Sequence, residues 1–231
     1  MTCYTAIPGT WGWRPESDNV TQWWQPFSAW ALAMRELGLR PLKAEPFTWS
    51  TDLNGIYGWR QWFWWLPGSR RAGATTDWHA GGNALRWYMG FTRFHKCSLI
   101  AHSHGGYVAL AAIAGGMRVP VLVTVGTPVR ADMHALILKA LPNIGQWIHF
   151  YDNDDFMQMS GGFADGHLGV RRKFLYPGVL NIEHNSGHSG LLSNSACWSL
   201  WRQQGWADLI IKQASVPKHD QPSTDQSRPP A

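Results

Sequence analysis

The chain has 231 residues, of which 45% are hydrophobic and 15% charged, so it is long enough to bury a sizeable core and too apolar for a mostly disordered protein. Its formal net charge of +5 comes without a dense Lys/Arg stripe, which argues against a nucleic-acid partner. No apolar run reaches the roughly 18 residues of a membrane span. The unusual feature is the 16 tryptophans, which must fill a core, an apolar binding surface or an interface.

Apolar strands and helices alternate from the first residues onward. Residues 2–7 form a short apolar run before the turn Pro8-Gly9, which predicts a buried strand. The pattern then predicts a helix at 26–37, a strand at 44–50, a helix at 77–94 and a strand at 97–101. The segment at about 51–76 is rich in Trp, Gly and Arg and is predicted to be an excursion from this regular alternation.

The second half continues the alternation and ends in a polar tail. Its pattern predicts helices at 104–116, 131–140 and 197–212 and strands at 119–125, 147–151 and 179–183. Alternation with near-continuous apolar strands predicts an α/β fold, with a mostly parallel sheet covered by helices on both faces. We expect one domain over residues 1–214, and the Pro-rich residues 215–231 are predicted to be a disordered tail.

The three cysteines, Cys3, Cys97 and Cys197, are few and odd in number, and no CxxC motif occurs. This count predicts a chain without a disulfide framework in a reducing compartment. Near the N-terminus no basic segment precedes an apolar run, so no secretory signal is predicted. Together these features predict a cytoplasmic protein.

A candidate nucleophile follows the predicted strand at 97–101. The run Ala101-His102-Ser103-His104-Gly105 places a serine at the apex of a tight turn between a strand and an Ala-rich helix. A serine can project from such a turn only if the residues two positions away are small, as alanine and glycine are. The N-terminus of the helix would then direct N–H groups and a positive dipole at the same point.

This run resembles the G-x-S-x-G nucleophile elbow of the α/β-hydrolase superfamily, with alanine in place of the first glycine. The superfamily orders its triad Ser…Asp…His along the chain. The resemblance implies that Asp155, which is followed by an apolar pair, is the acid; Asp154 is the alternative, and Asp152 lies in the same turn. His188, in the run Gly-His-Ser-Gly-Leu-Leu, is the implied base, with His184 as the alternative.

The same resemblance implies an oxyanion hole made of two backbone N–H groups, those of Thr10 and His104. Thr10 lies in the loop Ile-Pro-Gly-Thr-Trp-Gly after the first strand, where Pro8 stands in the usual histidine position. Residues 47–50 and 123–129 look like the fourth and sixth strands of the superfamily with their loops. The chain has no room for the usual first hairpin, so a reduced sheet of about six strands is expected.

The predicted chemistry is hydrolysis of a carboxylic ester through an acyl-enzyme, without a cofactor or metal. The acidic turn has no EF-hand glycine, and the pair His102 and His104 has no third ligand at a helpful spacing, so a metal site is not expected. Both histidines are instead expected to line or cover the pocket, with His102 in contact with the substrate. An acyltransferase or thioesterase with the same triad, or a non-catalytic binding module, are the alternatives.

The tryptophans suggest the substrate class. Most lie between Trp11 and Trp87, and the densest run, at 59–65, contains Trp64 and Trp65. Trp beside Arg is typical of membrane-interface segments. We expect residues 59–71 to form part of a lid or apolar wall in which Trp11, Trp64 and Trp65 contact a lipid-like or otherwise apolar acyl group, with peripheral membrane contact. Packing of these rings in the core is the alternative.

Overall fold

The computed structural model describes residues 1–9, 22–47, 49, 72–90, 96–130, 133–163 and 172–215. The predicted tail beyond residue 215 and the Trp-rich run at 59–71 therefore lie outside the described residues. Within these ranges the chain forms one layered α/β structure, which confirms the predicted class.

The described strands form a single sheet in which every neighbouring pair is parallel, in the order β2-β1-β3-β4-β5-β6. Their bounds are β1 Thr2–Ile7, β2 Leu39–Pro41, β3 Ser98–His102, β4 Val119–Val125, β5 Ile144–Tyr151 and β6 Val179–Glu183. The central strands are buried on both faces, as their continuous apolar sequences predicted. The predicted sheet of about six parallel strands is confirmed.

Helices cover both faces of this sheet and complete two separate apolar cores. The first face carries α2 (Ala72–Tyr88), α3 (Gly105–Ala114) and α4 (His134–Ala140), and the second carries α1 (Ala29–Glu36), α6 (Gly190–Ser193), α7 (Ser195–Gln203) and α8 (Trp206–Ser215). A 3-10 turn at Leu141–Asn143 directly precedes β5, and a further helix, α5 (Phe156–Phe163), follows β5. Because side chains alternate along a strand, Leu99 packs in the first core and Ile100 in the second.

Two sequence predictions about these elements are wrong. The described part of the predicted strand at 44–50 has no strand; the chain pairs with β1 earlier, through β2. Phe47 and Trp49 are buried nonetheless, so their apolar pattern reflects core packing and not strand pairing. The predicted final helix is two helices, because Gly205 has a φ of +67° and ends the first of them.

The cysteine prediction is also wrong for one pair. Cys3 in β1 and Cys97, which directly precedes β3, form a disulfide with Cα atoms 4.8 Å apart. The two residues are neighbours because β1 and β3 pair in parallel with Tyr4 opposite Ser98. Cys197 is free. A disulfide between these strands is not what a protein of a reducing compartment would be expected to carry.

No helix in the described ranges is long and apolar enough to span a membrane.

Candidate active site

The turn after β3 holds Ser103 in a strained backbone conformation. Ser103 has a φ of +52° and is the one non-glycine residue with a positive φ in the described part of the chain. Its N–H donates to the Val125 carbonyl at 2.9 Å, and Thr127 Oγ1 donates to its carbonyl at 2.9 Å. A left-handed serine costs on the order of 1–3 kcal/mol and persists only where the surroundings fix it. Helix α3 begins two residues later, at Gly105.

Close backbone packing explains why the residues around this turn are small. A Cβ on Gly105 would lie 2.5 Å from the Ile7 carbonyl oxygen and 2.6 Å from that of Pro8, and one on Gly106 would lie 2.3 Å from Thr127 Oγ1. The first turn of α3 therefore sits directly against the end of β1. A larger residue at position 105 would therefore collide with the backbone of β1 and its following loop.

His188 and Asp155 form a direct hydrogen-bonded pair. The distance from His188 Nδ1 to Asp155 Oδ2 is 2.6 Å, and the Asp155 carboxylate is almost fully buried. The other carboxylate oxygen, Oδ1, accepts the N–H of Gln158 at 2.9 Å, at the start of α5. The helix that follows Asp155 thus holds Oδ1, and Oδ2 points at the imidazole of His188.

The loop that carries His188 lies against His102, which directly precedes Ser103, and against Gly126 in the loop after β4. The His188 carbonyl oxygen is 3.0 Å from His102 Nε2, and the two rings have centroids 4.7 Å apart. On the neighbouring loop, a Cβ on Gly126 would meet His188 Nδ1 at 3.0 Å. Among the described contacts no hydrogen bond joins Ser103 and His188. Catalytic hydrogen bonds of this kind are often long before substrate binds.

Asp152, from the same acidic turn, and His184, the alternative base, take a different position. Asp152 Oδ2 accepts the N–H of Gly187 at 2.7 Å, and its Oδ1 accepts the N–H of Asp154 at 2.9 Å. His184 Nδ1 lies 4.0 Å from Asp152 and accepts the N–H of Ser186. These contacts hold the loop in front of His188 and make no contact with its ring. Asp154 is exposed.

The two histidines that flank Ser103 are buried and neutral. Burial and the nearby His188 lower the pKa of His102 to about 3. Burial, followed by the positive charge of Arg130, lowers the pKa of His104 well below its usual value. Neither imidazole is therefore a proton acceptor near neutral pH. Both lie next to Ser103 in the chain, and a role in lining a substrate pocket stays a prediction.

The loop after β1 approaches Ser103 from the other side. A Cβ on Gly9 would lie 3.0 Å from Ser103 Cβ, and the Pro8 carbonyl accepts the indole N–H of Trp49 at 2.7 Å. Thr10 and Trp11 lie outside the described residues, as do Trp64 and Trp65. His104 stands at the N-cap of α3, so its N–H belongs to the helix end that borders Ser103.

Trp23 and Trp78 border the site, although the sequence did not predict this position for either of them. The Trp23 ring meets the His102 ring edge-on with centroids 6.2 Å apart, and the Trp78 ring lies 5.6 Å from that of His104. Both tryptophans are buried, one in each core layer. No local signal marks them, because their position depends on how α2 and the chain before α1 pack on the sheet.

Among the described residues no group of three or more His, Cys, Asp or Glu side chains could hold a metal ion. In comparisons with known proteins, no protein-family model and no curated protein matches the chain.

Proposed function

We propose that the protein is a serine hydrolase of the α/β-hydrolase type, which cleaves a carboxylic ester with Ser103, His188 and Asp155. The observation that carries the proposal is the 2.6 Å contact between His188 Nδ1 and Asp155, made by a histidine whose loop packs beside a strained serine. A base oriented by a buried carboxylate next to a nucleophile is the arrangement that serine hydrolysis requires.

The place of these residues in the sheet supports the same function. β1 lies between β2 and β3, and the helices that follow β1 and β3 pack on opposite faces of the sheet at the point where the strand order reverses. In parallel sheets ligands bind at such a point, beyond the carboxyl ends of the strands. Gly9 follows β1 and Ser103 follows β3, and the two residues are in close contact there.

In the proposed mechanism, His188 Nε2 removes the proton of Ser103 as Oγ attacks the carbonyl carbon of the ester. Asp155 keeps the Nδ1–H tautomer of His188 and stabilises its imidazolium. The tetrahedral intermediate collapses when His188 returns the proton to the leaving alcohol, and the acyl group stays on Ser103. His188 then removes a proton from a water molecule as that water attacks the acyl carbon, and it returns the proton to Ser103 Oγ when the bond to the acyl group breaks and the acid leaves.

The oxyanion would form at the N-terminus of α3. The helix dipole and the N–H of His104 favour negative charge there, and the close packing of Gly9 on Ser103 brings the loop after β1 to the same point. A second N–H from Thr10 remains part of the proposal. Loss of one such donor costs roughly 100- to 1000-fold in kcat.

An apolar acyl group is the substrate class we propose, following from the Trp-rich composition of the first third of the chain. A series of p-nitrophenyl esters from acetate to palmitate tests this, with kcat/KM expected to rise with chain length. Co-sedimentation with anionic liposomes, compared between the parent and a Trp64→Ser, Trp65→Ser double variant, tests membrane contact separately. A parent that stays in the supernatant would end that part of the proposal.

Labelling with a fluorophosphonate probe tests the function itself. We expect the parent to form a covalent adduct and Ser103→Ala to form none, while Ser193→Ala, which changes an exposed serine, reacts as the parent does. Circular dichroism should show all three folded. An unlabelled parent would identify a non-catalytic module, and an adduct on Ser103→Ala would place the nucleophile elsewhere.

A further inference from the structure

His102 connects the backbone of the proposed nucleophile to the backbone of the proposed base. Its side chain is 9% exposed, and its Nε2 lies 3.0 Å from the carbonyl oxygen of His188 and 3.3 Å from Ser189 Oγ. Because His102 directly precedes Ser103, one peptide link separates this contact from the serine.

The partners of His102 define its tautomer. A carbonyl oxygen can only accept a hydrogen bond, so a nitrogen 3.0 Å away must carry the proton. Nε2 is therefore the protonated nitrogen and donates to His188, and Nδ1 is left as an acceptor, turned toward Gly9. Burial lowers the pKa of this imidazole to about 3, so the neutral form with one N–H persists at neutral pH.

The other restraints on the loop of His188 act on its ring and on the residues before and after it. The N–H of Gly187, the residue before His188, is held by Asp152, and the imidazole Nδ1 is held by Asp155. Gly187 itself has a φ of +70° and the His188 ring is partly exposed. After His188, the Ser189 carbonyl accepts the N–H groups of Leu192 and Ser193 in α6. The bond from His102 acts on the carbonyl of His188 itself, between these restraints.

We propose that His102 is a positioning residue that fixes the distance between His188 and Ser103 through its Nε2–H bond to the His188 carbonyl. This inference rests on the proposed function. It assigns His102 a role through His188, in place of the substrate contact expected from its sequence position. The hydrogen bond acts on the base, so its loss should affect the chemical step and leave substrate binding unchanged.

Two variants of similar size and shape separate this hydrogen bond from packing. In His102→Gln the side-chain amide can place an N–H near the position of Nε2, whereas His102→Met fills a similar volume with no donor. We expect kcat of His102→Met to fall about 10- to 100-fold with KM within about threefold of the parent, since a displacement of about 1 Å costs up to about 100-fold. His102→Gln should recover most of this loss, and the rate of fluorophosphonate labelling should follow the same order.

A purely structural role gives a different result. It would lower the thermal midpoint of both variants while the folded fraction kept the kcat of the parent, and equal kcat for Gln and Met would overturn the proposal. Labelling of the parent by the probe is the separate control for the proposed function. If the parent reacts and the two variants do not differ, only the positioning role fails.

A measurement on the unmodified protein tests the proposal if the variants do not fold. NMR spectra of the ¹⁵N-histidine-labelled chain at pH 7 should assign His102 as a neutral imidazole with its proton on Nε2, exchanging slowly with water. An Nδ1–H tautomer could not donate to the His188 carbonyl and would overturn the proposal on its own.

Discussion

Gly105→Ala tests whether the packing of α3 on β1 sets the geometry of the site. The added Cβ would lie 2.5 Å from the Ile7 carbonyl oxygen and 2.6 Å from that of Pro8, whereas ordinary contacts begin at 3.4 Å. The first turn of α3 and the end of β1 must therefore separate by about 0.9 Å. Both contacts are with backbone atoms, which cannot rotate aside as a side chain can.

Stability and activity should both fall, and by different routes. Overpacking of this kind costs about 1–3 kcal/mol. At this chain length, such a loss lowers the thermal midpoint by roughly 2–12 °C. The separation also moves Gly9 away from Ser103, so the oxyanion loop shifts by a similar distance and kcat should fall by up to about 100-fold.

Gly81→Ala in α2 is the matched control. Its added Cβ would meet the Val108 side chain at 3.0 Å and the Trp49 ring at 3.2 Å, so it is crowded by side chains that can adjust and not by backbone. Replacing a helical glycine by alanine gains up to about 1 kcal/mol, which offsets part of the crowding. We expect kcat for p-nitrophenyl esters to stay within about twofold of the parent. A Gly105→Ala variant with parental kcat and melting temperature would refute the reasoning.

Three further predictions concern the acid, a buried histidine and the disulfide. Asp155→Asn should lower kcat about 1000-fold or more and Asp152→Asn about tenfold, because only Asp155 contacts the base; equal losses in steady-state assays would contradict the assignment. Burial lowers the pKa of His149 to about 3, so between pH 6.5 and about 3 only the unfolded chain takes up this proton. As the pH falls through this range, the free energy of unfolding of the parent should therefore fall by up to about 1.4 kcal/mol per pH unit. Urea unfolding of His149→Gln should show a smaller dependence on pH in this range, and the two proteins should show the same dependence above pH 6.5. Reduction of Cys3–Cys97, which are 94 residues apart, should lower the free energy of unfolding by about 2–4 kcal/mol, and an unchanged urea midpoint in reductant would contradict this contribution.

The parts of the fold that local pattern determines were predictable from the sequence. β1, β4 and β6 were predicted at the residues where they occur, because their apolar runs are short and bounded by turn residues. The turn at Ser103 was predictable for the same reason, since its strand, small residues and helix are contiguous. Asp155 and His188 could be placed only as candidates among neighbours of the same type, because their contact joins residues 33 apart in the chain.

The remaining features depend on tertiary contacts that no local pattern carries. The pairing of Cys3 with Cys97 follows from the parallel register of β1 and β3, which composition and spacing do not reveal. Phe47 has the apolarity of a strand residue but is buried outside any strand. The contact of Trp23 with His102 likewise arises only when the second core layer packs on the sheet.

The carboxyl ends of the central strands hold groups that destabilise the fold, whereas the amino ends hold groups that stabilise it. At the carboxyl ends lie groups that are costly to fold, including the left-handed Ser103 and the buried, neutral His102. At the amino ends of the same strands, β1 and β3 are joined by the disulfide and flanked by apolar layers. A strained turn keeps one geometry only if its anchoring strands cannot shift relative to each other. The covalent link of Cys3 to Cys97 restrains the register of the two strands whose far ends bring Gly9 and Ser103 together, and so contributes to the shape of the proposed site without touching it.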